Sequence, residues 1–305
     1  MEKTKKAKRL TEKRRTALSA YLFISPFFIL FAIFGLFPMI FSFYLSFFRW
    51  DGLNPMVFNG FKNFEFILND PEFFSAIKNT FIIGILGTLP QIFFAIIIAF
   101  ALNSALIRFR NTFRIFIFLP YITSIVAVAI IFGIVFNNQP FGFANYVLSF
   151  FDIDPIRWNA EYWPVKIAIS TMVFWRWVGY NTIIFLAGMQ SIPRELYEAA
   201  KIDGATLSQQ IRLITLPMLK PITMFVVFTA TIGSLQLFTE PLIFLGRGLR
   251  EEGITMVAYL WRDAFVYNSF GTASAAAIVL FLIIITLTAI NLFITSRVGR
   301  SKKIS

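Results

Sequence analysis

Neither cysteine nor histidine occurs anywhere in this chain of 305 residues. That excludes disulfides, thiol nucleophiles, thiolate metal sites and an imidazole base at once. Charge is also scarce: Asp, Glu, Lys and Arg make up 14% of the residues, against about 25% in a soluble domain. With no paired intramembrane carboxylates either, an intramembrane enzyme is poorly supported. No GxxxxGK[ST] segment is present, so the chain cannot itself supply the usual ATP-binding loop. Energy for any work must come from another chain or from an ion gradient. No dedicated metal site is apparent, and the residues imply no cofactor. Acidic residues are the scarcer sign, 16 against 28 Lys and Arg, for a net charge of +12.

What is abundant is apolar: 57% of the residues are hydrophobic and 18% aromatic, including 40 phenylalanines. The reading is an all-α polytopic membrane protein. About 20 apolar residues cross a hydrocarbon core, and uncharged runs predict six transmembrane helices. They lie at 16–48, at 79–107, from Arg114 to Asn137, at 167–190, at 221–246 and at 264–296. The first run is too long for a signal-peptide core and reads as an uncleaved anchor. The organisation is a basic N-tail (1–16), a six-helix transmembrane domain (17–296) and a short C-tail (297–305).

Six spans put both termini on one side, and the distribution of Lys and Arg says which. If the ends are cytoplasmic, 19 of the 28 basic residues fall inside and eight outside, with Arg176 within a span. That asymmetry predicts cytoplasmic termini. It also accounts for the net charge without nucleic acid, because the charge gathers at membrane borders rather than on a folded basic face. The outer segments, about 49–78, 137–165 and 247–263, are too short to be domains. Trp50, Trp158, Trp163 and Trp261 near span ends read as an interfacial aromatic belt.

One polar insert, 191–220, is patterned too strongly for an idle connector. Ser191 can cap a helix, Pro193 fits its first turn, and Glu195 and Glu198 complement its dipole. Gly204 can end that helix. Thr206 and Gln209 have the spacing of a capping box for a second helical run, which Pro217 ends. Leu196, Ala199, Ala200 and Asp203 share one face of the first helix, and its two small residues let another backbone come close. That face packs either on the chain's own membrane helices or on a partner.

Glu198-Ala199-Ala200, then Gly204, Ile214 and Leu216-Pro217, resemble the EAA loop of permease subunits of binding-protein-dependent ABC importers. The surrounding IPRELYEAAKIDGAT and ITLPMLKP are most similar to the carbohydrate branch, specifically its maltose-type first permease. FRIFIFLPYITSIVA at 113–127 and YLFISPFFILF at 21–31 extend the likeness. The resemblance implies a type I ABC importer permease fold in a bacterial or archaeal plasma (inner) membrane. It also implies separate ATPase subunits, a second and different permease subunit, an extracytoplasmic solute-binding protein and a carbohydrate substrate. Glu198 would contact the ATPase, Ala199 and Ala200 would give close approach, and Gly204 the turn. Gly246-Arg247-Gly248-Leu249 departs from the family's Gly-Gly-Pro turn after the fifth span.

Two ionisable residues sit inside spans, where burial is costly enough to imply function. Arg176 and Glu240 either form an ion pair fixing two helices or belong to a polar substrate path with Gln236, Asn181, Trp177 and Tyr180. Convergent polar groups beside aromatic faces suit sugar hydroxyls. The alternative is an ion-gradient-driven secondary transporter relaying charge through Arg176 and Glu240, which predicts internal repeats and broken helices. Pro90-Gln91 interrupts the second run with Gly84 and Gly87 before it, which marks either a hinge or a close helix crossing, and small residues favour the crossing.

Overall fold

The computed structural model describes residues 2–103, 109–246 and 249–300, with side chains described from Arg14 to Phe293 within those bounds. The chain enters as α1 (Glu2–Phe31), a π-helical turn (Ala32–Leu36) and α2 (Phe37–Leu45). A short antiparallel hairpin, β1 (Phe48–Arg49) and β2 (Val57–Phe58), leads to α3 (Lys62–Asn69) and α4 (Pro71–Asn103). Next come α5 (Arg110–Ile122), α6 (Ile125–Val135), α7 (Phe143–Ser149) and α8 (Tyr162–Gln190). The polar insert forms α9 (Arg194–Ile202), α10 (Leu207–Gln210), a second π turn (Ile211–Thr215) and α11 (Leu216–Met218). The chain ends in α12 (Lys220–Leu235), α13 (Thr239–Leu245), α14 (Met256–Phe265) and α15 (Phe270–Arg300).

Among the described residues, four stretches are long and apolar enough to cross a membrane: Arg14–Leu45, Pro71–Asn103, Lys220–Leu245 and Phe270–Phe293. The α5–α6 pair, bent by 93°, makes a fifth if counted as one span. The expected fourth span is α8, which has the length but is diluted by Lys166, Arg176, Asn181 and Gln190, so the count of six is not reached on apolarity alone. None of the most apolar part of Arg14–Leu45 is buried against the rest of the chain.

Several expected boundaries move. The second span is one helix from Pro71 that carries Pro90 without interruption. The third turns sharply where Thr123 and Ser124 leave helical geometry. The fifth is broken at 236–238, and the sixth starts at Phe270 because Ala264 belongs to α14. Each π turn lies just ahead of a proline, Pro38 or Pro217. A proline ring crowds the carbonyl four residues earlier and offers it no N–H, and a wider turn relieves the clash. Pro217 therefore loosens the helical run instead of ending it.

α8 is the centre of the bundle, packed most extensively along α4. Three glycines mark close crossings in the bundle. A Cβ at Gly87 of α4 would stand 3.1 Å from Val173 Cγ1, and one at Gly84 would stand 3.1 Å from Ser234 Cβ of α12. At Gly179 an added Cβ would fall inside the envelope of the Ile117 carbonyl of α5, 2.6 Å from its carbon. Around α8 lie two apolar clusters, one with Ile83, Val128, Met172 and Phe244, the other with Ala95, Ala99, Phe185, Met189 and Val226. A third joins α4 to α14 and α15 through Phe73, Met256, Tyr259 and Ala276.

The segments expected on the outer side are organised by buried polar side chains. Asn145 donates to the carbonyls of Asn137, Gln139 and Ile156 and accepts from Ile156 N–H and Trp158 Nε1. Trp158, 8% exposed, is thus a core residue rather than part of an aromatic belt. Its indole N–H needed a partner, and Asn145 supplies it inside the fold. Lys166, fully buried in the first turn of α8, donates to Glu252 O at 2.6 Å and Tyr162 O at 3.1 Å. Asn79 of α4 donates to Glu251 O and Ile254 O, so the segment after 249 is fastened to both central helices. Arg247 and Gly248, part of the departure noted in the sequence, lie outside the described residues, as do residues 104–108 of the loop after the second span and 301–305 of the C-tail. No side chain of the basic N-tail before Arg14 is described either.

Candidate functional site

Four helices line a partly open cavity of about 200 Å³. α8 contributes Val173, Trp177, Tyr180 and Asn181, α4 contributes Thr88 and Gln91, and α5 contributes Tyr121. Thr229, Ala230, Gly233 and Ser234 come from one face of α12, and Leu237 from the break beyond it. Tyr121 and Tyr180 stack at 4.5 Å between centroids, and Trp177 meets both edge-on at 5.2 and 5.6 Å. The wall is therefore an aromatic corner facing hydroxyls and carboxamides.

Of the substrate-path residues expected from sequence, Asn181, Trp177 and Tyr180 share this lining. Arg176, Glu240 and Gln236 do not. The Arg176 guanidinium carbon stands 5.9 Å from the Tyr121 ring centre and 5.6 Å from that of Trp177, an arrangement attracted by the ring quadrupoles. Its Nε has no hydrogen-bond partner among the described residues. Glu240 is buried, and the ion pairs among the described residues are Arg157–Glu161 and Arg262–Glu72. The direct Arg176–Glu240 pair is not made, although the two charges are close enough to interact. The reason is local: Arg176 is drawn onto the rings, and the break at 236–238 lets α13 bury Glu240 in its first turn. Gln236, at that break, is exposed.

Thr88, Gln91, Tyr121, Thr229 and Ser234 were not singled out for the path. The signal existed on α12, where positions 229, 230, 233 and 234 are small or polar at helical spacing. Gln91 is a lone carboxamide in an apolar run, 3% exposed, and only the rotation of α4 shows that it faces the cavity.

A second, open hollow of about 1380 Å³ lies between the hairpin, α3, α14 and the start of α15. Arg262 there holds Glu72 with two bonds of 2.5 and 2.7 Å, and Tyr259 donates to Asp70 Oδ2 at 2.6 Å. Burial pushes the Asp263 carboxyl up to about 6, with Arg262 opposing and Asp70 and Glu72 reinforcing the shift.

The insert has the expected helix, glycine turn and capped helix, with one change at its start. Ser191 closes α8 instead of opening α9: its hydroxyl donates to Gly188 O at 2.8 Å, and Pro193 takes the N-cap position. α9 ends at Asp203, followed by Gly204 at φ +76°, where glycine is free of strain. Thr206 and Gln209 make the reciprocal capping box. Tyr197 bonds Thr215 through their hydroxyls at 2.9 Å, tying α9 to the second π turn. Glu198, Ala199, Leu196, Asp203 and Gly204 are exposed and Ala200 is partly so, and α9 buries none of its residues within this chain. Of the two readings of this face, packing on the chain's own helices is not what the fold uses.

Comparisons with known proteins agree with this architecture. The arabinooligosaccharides transport system permease protein AraP of Halalkalibacterium halodurans is 34% identical over 276 residues, 90% of this chain and 87% of that protein. The lactose transport system permease protein LacF of Rhizobium radiobacter is 35% identical, over 92% of this chain and 95% of its own. In a solved bacterial ABC transporter that imports the acidic polysaccharide alginate, one chain superposes with a TM-score of 0.82 at 25% identity. The match covers 96% of this chain and 100% of that one. A second structure, that transporter with its alginate pentasaccharide-bound periplasmic protein, gives 0.81. Residues 91–300 match the family described as binding-protein-dependent transport system inner membrane component. The chain is therefore a multi-pass membrane protein of that family, the permeases of binding-protein-dependent ABC importers.

Proposed function

We propose that this chain is the carbohydrate-passing permease subunit of an ATP-driven importer. It pairs with a second permease, two ATPase subunits on which ATP is hydrolysed, and an extracytoplasmic solute-binding protein. The names of its relatives, an arabinooligosaccharide and a lactose permease among them, support a sugar or oligosaccharide as cargo. Both termini and the 191–220 loop face the cytoplasm in this reading, and six spans, α8 among them, cross the membrane.

The observation that carries the coupling role is α9: an amphipathic helix with no buried residue in this chain, joined to the cavity-lining α8 through only three residues. An ATPase that grips the Leu196, Ala199, Ala200 and Asp203 face, with Glu198 at its edge, can pull on α8 directly. Asn181 lies nine residues before the end of α8, about 14 Å along the rod. Closure of the ATPases thus changes which side the cavity faces, a rigid-body switch. Trp177, Tyr180 and Asn181, with Thr88, Gln91, Tyr121, Thr229 and Ser234, form the substrate path; Arg176 braces two of its rings, and Glu240 and Gln236 sit near the helix break.

Glu198→Lys is expected to abolish sugar uptake while the assembled importer retains ATP hydrolysis and normal membrane levels. Wild-type uptake from that variant would sink the coupling assignment.

A further inference from the structure

The charge of the cavity's own wall is what separates two classes of sugar. Its polar groups include the hydroxyls of Thr88, Thr229 and Ser234 and the carboxamides of Gln91 and Asn181, and among the described residues no ionisable carboxylate, ammonium or guanidinium lines it. Such groups donate to and accept from sugar hydroxyls, in the manner of water. A carboxylate or sulfonate carried into the same space would shed its hydration without meeting a cation, which is costly in a low-dielectric interior.

The charges nearby do not repair this. The Arg176 guanidinium is engaged with the rings of Tyr121 and Trp177, at 5.9 and 5.6 Å from their centres, and is not itself among the side chains that line the cavity. Glu240 is buried and lies outside the lining.

We infer that the half of the path built by this chain is selective for uncharged saccharides, disfavouring uronic acids and sulfonated sugars. The inference rests on the reading of the cavity as the substrate path. It sets this chain apart from the alginate importer it resembles in fold, whose cargo is acidic.

The test uses the purified permease–ATPase complex in nanodiscs, without binding protein, so that only the membrane path selects. Saturation-transfer NMR measures binding of neutral pentoses and hexoses against hexuronates of the same ring size. Neutral sugars are expected to bind at least tenfold more tightly. A hexuronate bound as well as its neutral counterpart, with both signals lost in Asn181→Leu and Trp177→Ala, would overturn the charge inference and leave the path reading standing. Sugar binding that survives both substitutions, or no binding of any sugar, would overturn the path reading and the inference with it.

Discussion

Substituting Gly179 by alanine tests the tightest crossing in the bundle. The new Cβ would stand 2.6 Å from the Ile117 carbonyl carbon, whereas ordinary contact begins at 3.4 Å. The obstacle is backbone, which cannot rotate aside, and its oxygen is nearer still, so α5 must retreat from α8 by well over ~1 Å, enough for a packed pair to lose much of its dispersion energy. Alanine is the better helix former by about 1 kcal/mol, but overpacking of a filled core costs about 1–3 kcal/mol. A rigid carbonyl places the cost at the upper end of that range, leaving a net loss of about 2 kcal/mol. The retreat also opens the Tyr121–Trp177–Tyr180 corner, so sugar uptake should fall with stability. Gly133→Ala is the control, since an added Cβ there meets nothing within 4 Å. Thermal unfolding of the whole importer in detergent and uptake into vesicles give the two readouts. Indistinguishable results from the two variants would refute the close α5–α8 contact.

Lys166→Met removes the donor that holds Glu252 O. It also removes a buried ammonium and its desolvation cost, so global stability should change little, while amide exchange across 249–254 accelerates; unchanged exchange would show that Asn79 alone suffices. At Asp263 the carboxyl is raised to about 6 in the folded chain from 3.8. The folded state therefore binds more protons than the unfolded one between those values, and stability should decline as pH rises from about 4 to 6. Unfolding profiles across that window should flatten in Asp263→Asn, and parallel profiles would contradict the assignment.

The sequence was most informative where chemistry is local. The Thr206–Gln209 capping box and the positive φ at Gly204 depend only on residues a few positions apart, and both are found as read. Gly84 and Gly87 likewise stand at helix crossings. What sequence left open depends on choices between equivalent partners. Ser191 could cap either of two helices and serves the one behind it. Pro217 had two outcomes, termination or a widened turn, and the neighbouring Thr215–Tyr197 bond accompanies the second. The cavity was half legible: Trp177, Tyr180 and Asn181 cluster on one helix, but Thr88, Gln91, Thr229 and Ser234 are single polar residues in apolar runs. Their convergence is decided by how each helix is rotated, which composition does not encode. Arg176 and Glu240 drew attention as charges, yet cation–π contact competes with ion pairing for an arginine beside two rings.

α8 is an unbroken bar from Tyr162 to Gln190, and its least yielding contact is at Gly179. That point divides it unequally, with 17 residues toward Lys166's end and 11 toward α9's. At 1.5 Å per residue the arms are about 25 and 16 Å. In the proposed coupling, with Gly179 as pivot, the bar would act as a seesaw with a displaced fulcrum: a nudge at the short end would reappear at the far end reversed and about half again as large.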